Sequence, residues 1–296
     1  MFDGELNASQ TYNLAKLCKV EVKDREKLIL EIFAKRAATA EAKLQVQLAE
    51  LSYQLPRARD MVRMAKGGEQ PGFFGLGKYE ADVYVKMMKK RMATLKRKIE
   101  GVRARRRIFR VGRERTGFPT IALAGYTGAG KTTLFNRLTG EAKEVDAGVF
   151  TTLSTATRGV GSFGGRVLVS DTVGFISRLP PYLVEAFRST LEEVSTADLV
   201  LLLVDGSQPV EKVRTSHLSC MSTLAELGVG ESRLLTVVNK VDLLGGEQLG
   251  EKLWLSEVEE GVEISAKTGE GLEGLAAAVA ERLGLARPAE GETEVA

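Results

Sequence analysis

Leucines return every three to four positions between Ala37 and Lys66, as Leu44, Leu48, Leu51 and Leu55, and Val62 continues the row. That period puts them on one face of a long helix, and Pro56, with no N–H to give, predicts a kink in it. A second stretch, Tyr79 to about Arg110, carries Ala81, Val85, Met88, Met92, Leu95, Ile99 and Val102 at alternating steps of four and three. Two such seams bury each other best as an antiparallel helical hairpin. Ahead of it, Leu6 to Phe33 reads as a helix followed by a strand, Lys27-Leu-Ile-Leu-Glu-Ile-Phe33, a small base leaning on the hairpin.

Beyond Gly117 the pattern changes. Short aliphatic runs, Thr120–Ala124, Arg166–Ser170, Leu199–Val204, Leu234–Val238 and Val262–Ile264, alternate with helical or polar stretches, the signature of an α/β sheet. The first run leads into Gly125-Tyr126-Thr127-Gly128-Ala129-Gly130-Lys131-Thr132, with Thr133-Leu-Phe-Asn-Arg-Leu opening a helix behind it. This fits G-x-x-x-x-G-K-[ST] between strand and helix. There, successive backbone N–H groups and the positive end of the helix dipole converge on a phosphate. Lys131 would reach the β- and γ-phosphates, and the Thr132 hydroxyl would ligate Mg²⁺.

Three further motifs follow in order, each at the carboxyl end of a predicted strand. Asp171-Thr172-Val173-Gly174 is a D-x-x-G: Asp171 can hold Mg²⁺ through a water, and the Gly174 N–H can meet a γ-phosphate. Asn239-Lys240-Val241-Asp242 is an N-K-x-D. The Asp242 carboxylate can accept from guanine N1–H and its 2-amino group, and adenine lacks both donors, leaving a desolvated carboxylate unpaired at a cost of about 1–3 kcal/mol. Asn239 would support the loop, while the Lys240 stem packs over the base. Ser265-Ala266-Lys267 would aim the Ala266 N–H at guanine O6. Each motif alone is weak; the ordered set implies a guanine-nucleotide switch binding GTP or GDP with Mg²⁺.

GTPases of the Ras type place Gln directly after D-x-x-G to orient the attacking water. Phe175 occupies that place here, and a phenyl ring can neither position nor polarise water. Slow hydrolysis is therefore expected, with the water-ordering group supplied elsewhere. The missing threonine ligand of the first switch must lie between Lys131 and Asp171. Phe150-Thr151-Thr152-Leu153 is the candidate, with Thr152 favoured over Thr151 as ligand to Mg²⁺ and γ-phosphate. Lys131, Thr152 and Gly174 are thus the expected catalytic contacts.

Composition adds a partner. The 296-residue chain nets +3, yet Lys78 to Arg115 alone holds fifteen Lys/Arg against Glu80, Asp82, Glu100 and Glu114, so the remainder is acidic. A basic arm whose tip, Gly67 to Gly77, carries Phe73 and Phe74 suits RNA: phosphates pair with cations, and bases stack on rings. Lys86, Lys89, Lys90, Arg105, Arg106 and Arg107 are the candidate phosphate contacts, with Phe73 and Phe74 as stacking platforms; DNA is not expected. The alternative is an arm that grips an acidic protein or a membrane surface. No apolar run reaches a membrane span, and the acidic N-terminus does not read as a signal peptide. Cys18 and Cys220 fall in different predicted domains and His217 in a helical stretch without metal-ligand company, so neither a disulfide framework nor a His/Cys metal site is expected. A cytoplasmic monomer follows, with partial membrane association as a further expectation.

The chain resembles the HflX family of ribosome-associated GTPases. The resemblance rests on Asp24 to Ala38, Lys43 to Leu51, Gly125 to Thr139 and, most specifically, Asp171 to Ser207 (DTVGFISRLPPYLVEAFRSTLEEVSTADLVLLLVDGS). It implies an α/β fold in which a three-layer P-loop GTPase domain, residues 117–287, follows an N-terminal domain, 1–116, built on the hairpin at about 37–110. An acidic tail, 288–296, closes the chain. It further implies that the hairpin tip approaches RNA of the large ribosomal subunit and that members split stalled or idle ribosomes. A hydrophobic residue after D-x-x-G is usual in the family, in agreement with Phe175. Relative to bacterial members the chain is expected to start midway through the N-terminal domain and to lack the C-terminal domain, and its tip, Gly72-Phe-Phe-Gly-Leu-Gly77, is nearer to that of archaeal members.

Overall fold

The computed structural model describes residues 1–66, 78–114, 117–141, 156–175, 182–183, 191–244 and 261–286. The chain forms two compact units, one of residues 1–109 with 180–187 and one of 110–179 with 188–296.

The first unit is helical. Asn7 caps α1 (Ala8–Cys18) through a reciprocal pair with Gln10, satisfying two N–H groups that the helix start leaves open. Asp24 caps α2 (Arg25–Arg36) by accepting from Lys27 N at 2.8 Å. The strand expected at Lys27–Phe33 is therefore a helix. Its buried residues, Glu26, Ile29, Leu30 and Phe33, recur at helical spacing; an apolar run this short satisfies both periods, and the cap together with packing on α3 decides between them. α3 (Ala40–Lys66) continues as one helix through Pro56.

α4 (Lys78–Glu114) returns along α3, with Leu48, Leu95 and Ile99 buried together and Leu44, Leu51 and Met92 packed on them. Leu48 stands about as far before the connecting segment as Leu95 stands after it, which is the register of an antiparallel hairpin. Buried Asp24 ties the base: it accepts from Tyr53 Oη at 3.0 Å and from Arg57 at 2.7 Å, and the Arg57 guanidinium lies over the Tyr53 ring. In the same unit the Tyr182 hydroxyl donates to Glu26 at 2.9 Å, and burial raises the Glu26 pKa against that bond.

The second unit is a six-stranded sheet in the order β2-β3-β1-β4-β5-β6. Its strands are β1 (Thr120–Gly125), β2 (Ala156–Val160), β3 (Val167–Asp171), β4 (Leu199–Asp205), β5 (Leu234–Asn239) and β6 (Val262–Ile264). All neighbours are parallel except edge strand β2, which is antiparallel to β3. β2 is the one strand that the hydrophobic pattern does not predict, since its Thr157, Arg158 and Gly159 show no apolar alternation. Among the described residues, α5 (Lys131–Thr139), α6 (Val210–Glu226) and α7 (Leu272–Leu283) pack against the sheet. Alternate strand residues face opposite ways. Leu123, Leu201 and Val237 pack with Leu134 and Phe135 of α5 and Leu275 and Val279 of α7, while Val204 and Val238 meet Val213 of α6. The result is the expected three-layer α/β domain. Parallel pairing brings the ends of β1, β3, β4 and β5 to one edge, where the motifs lie.

Candidate functional site

The phosphate loop spans the gap between β1 and α5. Gly125 has φ +141°, Gly128 +84° and Gly130 +97°, backbone that side chains rarely adopt. A Cβ on Gly130 would also collide with the Asn239 amide nitrogen. Tyr126 and Thr127 are half-buried, Ala129 is buried and Gly128 is open to solvent. Gly130 enters α5 without a side-chain cap, so the first N–H groups of Lys131, Thr132 and Thr133 are set at the helix start.

Lys131 is buried, and its ammonium donates to the carbonyls of Gly125 and Tyr126, both at 3.0 Å. Burial lowers its pKa to about 8, opposed by the nearby Asp171 carboxylate. Thr132 Oγ1 lies 3.1 Å from Asp171 Oδ2, both residues buried. A hydroxyl and a carboxylate converging at the end of a phosphate loop are hard oxygen donors of the kind Mg²⁺ prefers. Thr151 and Thr152 lie outside the described residues.

Gly174 packs against the loop, its missing Cβ directed at Thr127 Oγ1 and Lys131 Nζ. Phe175 is 1% exposed. Its N–H donates to Gly125 O at 3.0 Å, and its carbonyl accepts from Thr127 N at 2.8 Å and from Thr127 Oγ1 at 3.1 Å. The residue standing in for the water-orienting Gln is thus a buried ring clamped to the phosphate loop by its own backbone.

Asn239 joins two motifs. Its Nδ2 donates to Ala129 O at 2.7 Å, and its Oδ1 accepts from Ala266 N at 2.9 Å. Ser265 Oγ donates to Asp242 Oδ1 at 2.7 Å, and Thr268 N donates back to Ser265 Oγ at 3.1 Å. Asp242 and Lys267 are exposed, Ser265 and Ala266 buried. Arg137 of α5 reaches across to donate to Lys267 O at 2.5 Å. Lys240 holds left-handed backbone at φ 70°, and its ammonium sits 2.7 Å from Asp205 Oδ2 at the end of β4. Neither Arg137 nor Asp205 stands out in the sequence, because both act across the sheet edge on residues distant in the chain.

A cavity of about 230 Å³ borders the loop and is walled by Tyr126, Gly128, Asp205, Lys212, His217 and Lys240. Burial lowers the His217 pKa and raises that of buried Cys220 to about 12. Among the described residues no cluster of His, Cys, Asp and Glu could hold a metal, and no helix is long and apolar enough to cross a membrane.

On α4, Lys86, Lys89 and Lys90 are exposed. Arg105, Arg106 and Arg107 belong to the same helix, but their side chains lie outside the described set, as do Phe73 and Phe74 altogether.

A sheet parallel but for one edge strand, with helices on both faces and four nucleotide motifs gathered at its carboxyl edge, defines a P-loop GTPase-type domain. Residues 120–240 match the family described as 50S ribosome-binding GTPase; residues 1–34 and 36–113 match the N-terminal and middle regions of a GTP-binding GTPase. GTPase HflX of Methanocaldococcus jannaschii is 50% identical over 243 residues, 82% of this chain and 60% of that protein. GTPase HflX of Hyperthermus butylicus is 40% identical over 287 residues, 94% of this chain and 76% of its own length. The chain belongs to the HflX family of GTPases. A crystal structure of a GTP-binding protein from Sulfolobus solfataricus in complex with GDP aligns at a TM-score of 0.53 with 27% identity, over 95% of this chain and 78% of that one.

Proposed function

We propose that this protein binds and hydrolyses GTP with Mg²⁺ and works on the large ribosomal subunit, in the splitting, rescue or recycling of ribosomes. The observation that carries the nucleotide reading is the pair of hydrogen bonds of the Asn239 amide, one donated to Ala129 O in the phosphate loop and one accepted from Ala266 N in the base-reading loop. It fixes the spacing between the place for the phosphates and the place for the base. Lys131 then exchanges two carbonyl partners for phosphate oxygens, and the N–H groups at the start of α5 cradle the same anion. Thr132, Asp171 and Thr152 would hold a Mg²⁺, which when bound would offset the negative charge of the phosphates.

Hydrolysis by the chain alone is slow, because Phe175 is buried and offers no group to a water. The family match at 120–240 and the exposed lysines of α4 support a ribosomal partner. A basic, partly helical arm recognises phosphate-rich RNA through charge.

Isothermal titration with GTP, ATP and XTP tests the base assignment. The wild type should prefer GTP over ATP by a factor of at least about 10, the worth of one unpaired carboxylate. Asp242→Asn should shift the preference toward XTP. Equal wild-type affinity for ATP and GTP contradicts the assignment.

A further inference from the structure

Lys240 is the residue whose stem would cover one face of the base, yet its side chain is long, a third exposed and carried on strained backbone. Left-handed φ in a residue other than Gly persists only where the surroundings hold it, so something must fix this loop before a base arrives. The end of β4 does so. Asp205 pairs in register with Asn239, and Gly206 N donates to Asn239 O at 2.9 Å, so the end of β4 and the start of the N-K-x-D loop form one ladder. Gly206 is what lets them close: a Cβ there would stand 2.9 Å from Val238 Cγ1 and 3.2 Å from Asn239 O.

The Asp205 carboxylate is itself fixed. Oδ1 accepts from Ser207 N at 3.1 Å and from Ser207 Oγ at 2.6 Å, while Oδ2 accepts from Gln208 Nε2 at 3.1 Å and from the Lys240 ammonium at 2.7 Å. With four donors converging on one carboxylate, the aspartate has a single orientation. Burial pushes its pKa up, but the Lys240, Ser207 and Gln208 partners outweigh that and hold it below the ordinary value.

We infer that Asp205 is a positioning residue for guanine-nucleotide binding: it anchors the Lys240 ammonium so that the lysine stem is laid in place over the base before the nucleotide enters. The ion pair stands on the wall of the cavity beside Tyr126 and Gly128, next to the phosphate loop. Without the anchor, Lys240 is free to swing, and ordering it falls to the binding step, which weakens affinity. Asp205 touches no part of the base edge, so it sets affinity without setting the choice of base; that choice stays with Asp242. The inference rests on the proposed base-reading role of the N-K-x-D loop.

The test is a double-mutant cycle read by titration with GDP and GTP. Asp205→Asn should weaken both about tenfold, the worth of one charge-assisted bond. Lys240→Met, which keeps a stem but loses the charge, should cause a similar loss. In the Lys240→Met background Asp205→Asn should add almost nothing, because the bond it removes is already gone. Additive losses, or no loss from Asp205→Asn, overturn the inference. Asp205→Glu, which displaces the charge by one methylene, serves the same cycle should the asparagine variant not fold: its loss must likewise vanish in the Lys240→Met background. A control separates this from the base-reading proposal. Asp242→Asn should change the GTP-to-XTP ratio, whereas Asp205→Asn in that background should weaken XTP by the factor it weakens GTP in the parent. An unchanged ratio in Asp242→Asn strikes the base-reading assignment; a normal ratio with an additive cycle strikes only the role of Asp205.

Discussion

Burial brings the Lys131 ammonium to a pKa of about 8 from an ordinary 10.5, with Asp171 pulling the other way. Between those values the unfolded chain holds more protons than the folded, nucleotide-free one, so stability should rise with pH across that window. Phosphate oxygens favour the charged lysine and raise its pKa again. Nucleotide binding should therefore take up a proton near pH 8, and affinity should fall as pH rises further. Titrations in buffers of different ionisation enthalpy measure the uptake; heats that do not depend on the buffer near that pH contradict the lysine's role. Single residues of this site were legible in the sequence wherever a motif fixes both type and spacing, as at Lys131, Asp171, Asn239 and Asp242. Asp205 and Arg137 were not, because what they touch is brought near only by the sheet. Phe175 was legible as an absence of Gln; the clamp on its backbone was not.

At the scale of elements, the loop between β1 and α5 admits little change. Gly130 combines φ +97° with an approach of its missing Cβ to Asn239. Gly130→Ala should cost about 1–3 kcal/mol from backbone strain alone and displace the amide that joins two motifs. A fall in melting temperature with loss of nucleotide binding is expected, and wild-type affinity in the alanine variant contradicts the geometry. Helix α4 carries a different prediction. Reversing Lys86, Lys89 and Lys90 to Glu should weaken association with large ribosomal subunits and flatten its salt dependence, by about one slope unit for each phosphate no longer neutralised. GTP affinity of the isolated protein should not change, and an unaltered salt slope would remove these lysines from the proposed contact with RNA. Elements were most legible where the period was long or the run fully buried, as in α3, α4 and β4. They failed at α2, where Leu28, Ile29, Leu30, Ile32 and Phe33 crowd into a run that either period accommodates, and at β2, an edge strand with little apolar content.

For the whole molecule, two units with separate chemistries share one chain: a nucleotide domain whose motifs meet at the carboxyl edge of its sheet, and a helical unit bearing exposed lysines on α4. With Phe175 buried and clamped, turnover in isolation should fall orders of magnitude below the roughly 1–100 s⁻¹ of efficient phosphoryl-transfer enzymes. The most direct measurement is single-turnover GTP hydrolysis with and without purified large ribosomal subunits. Slow cleavage alone, accelerated many-fold by the subunits and lost in Lys131→Ala, is the predicted result. Fast cleavage by the isolated protein, or a rate that large subunits leave unchanged, would contradict it.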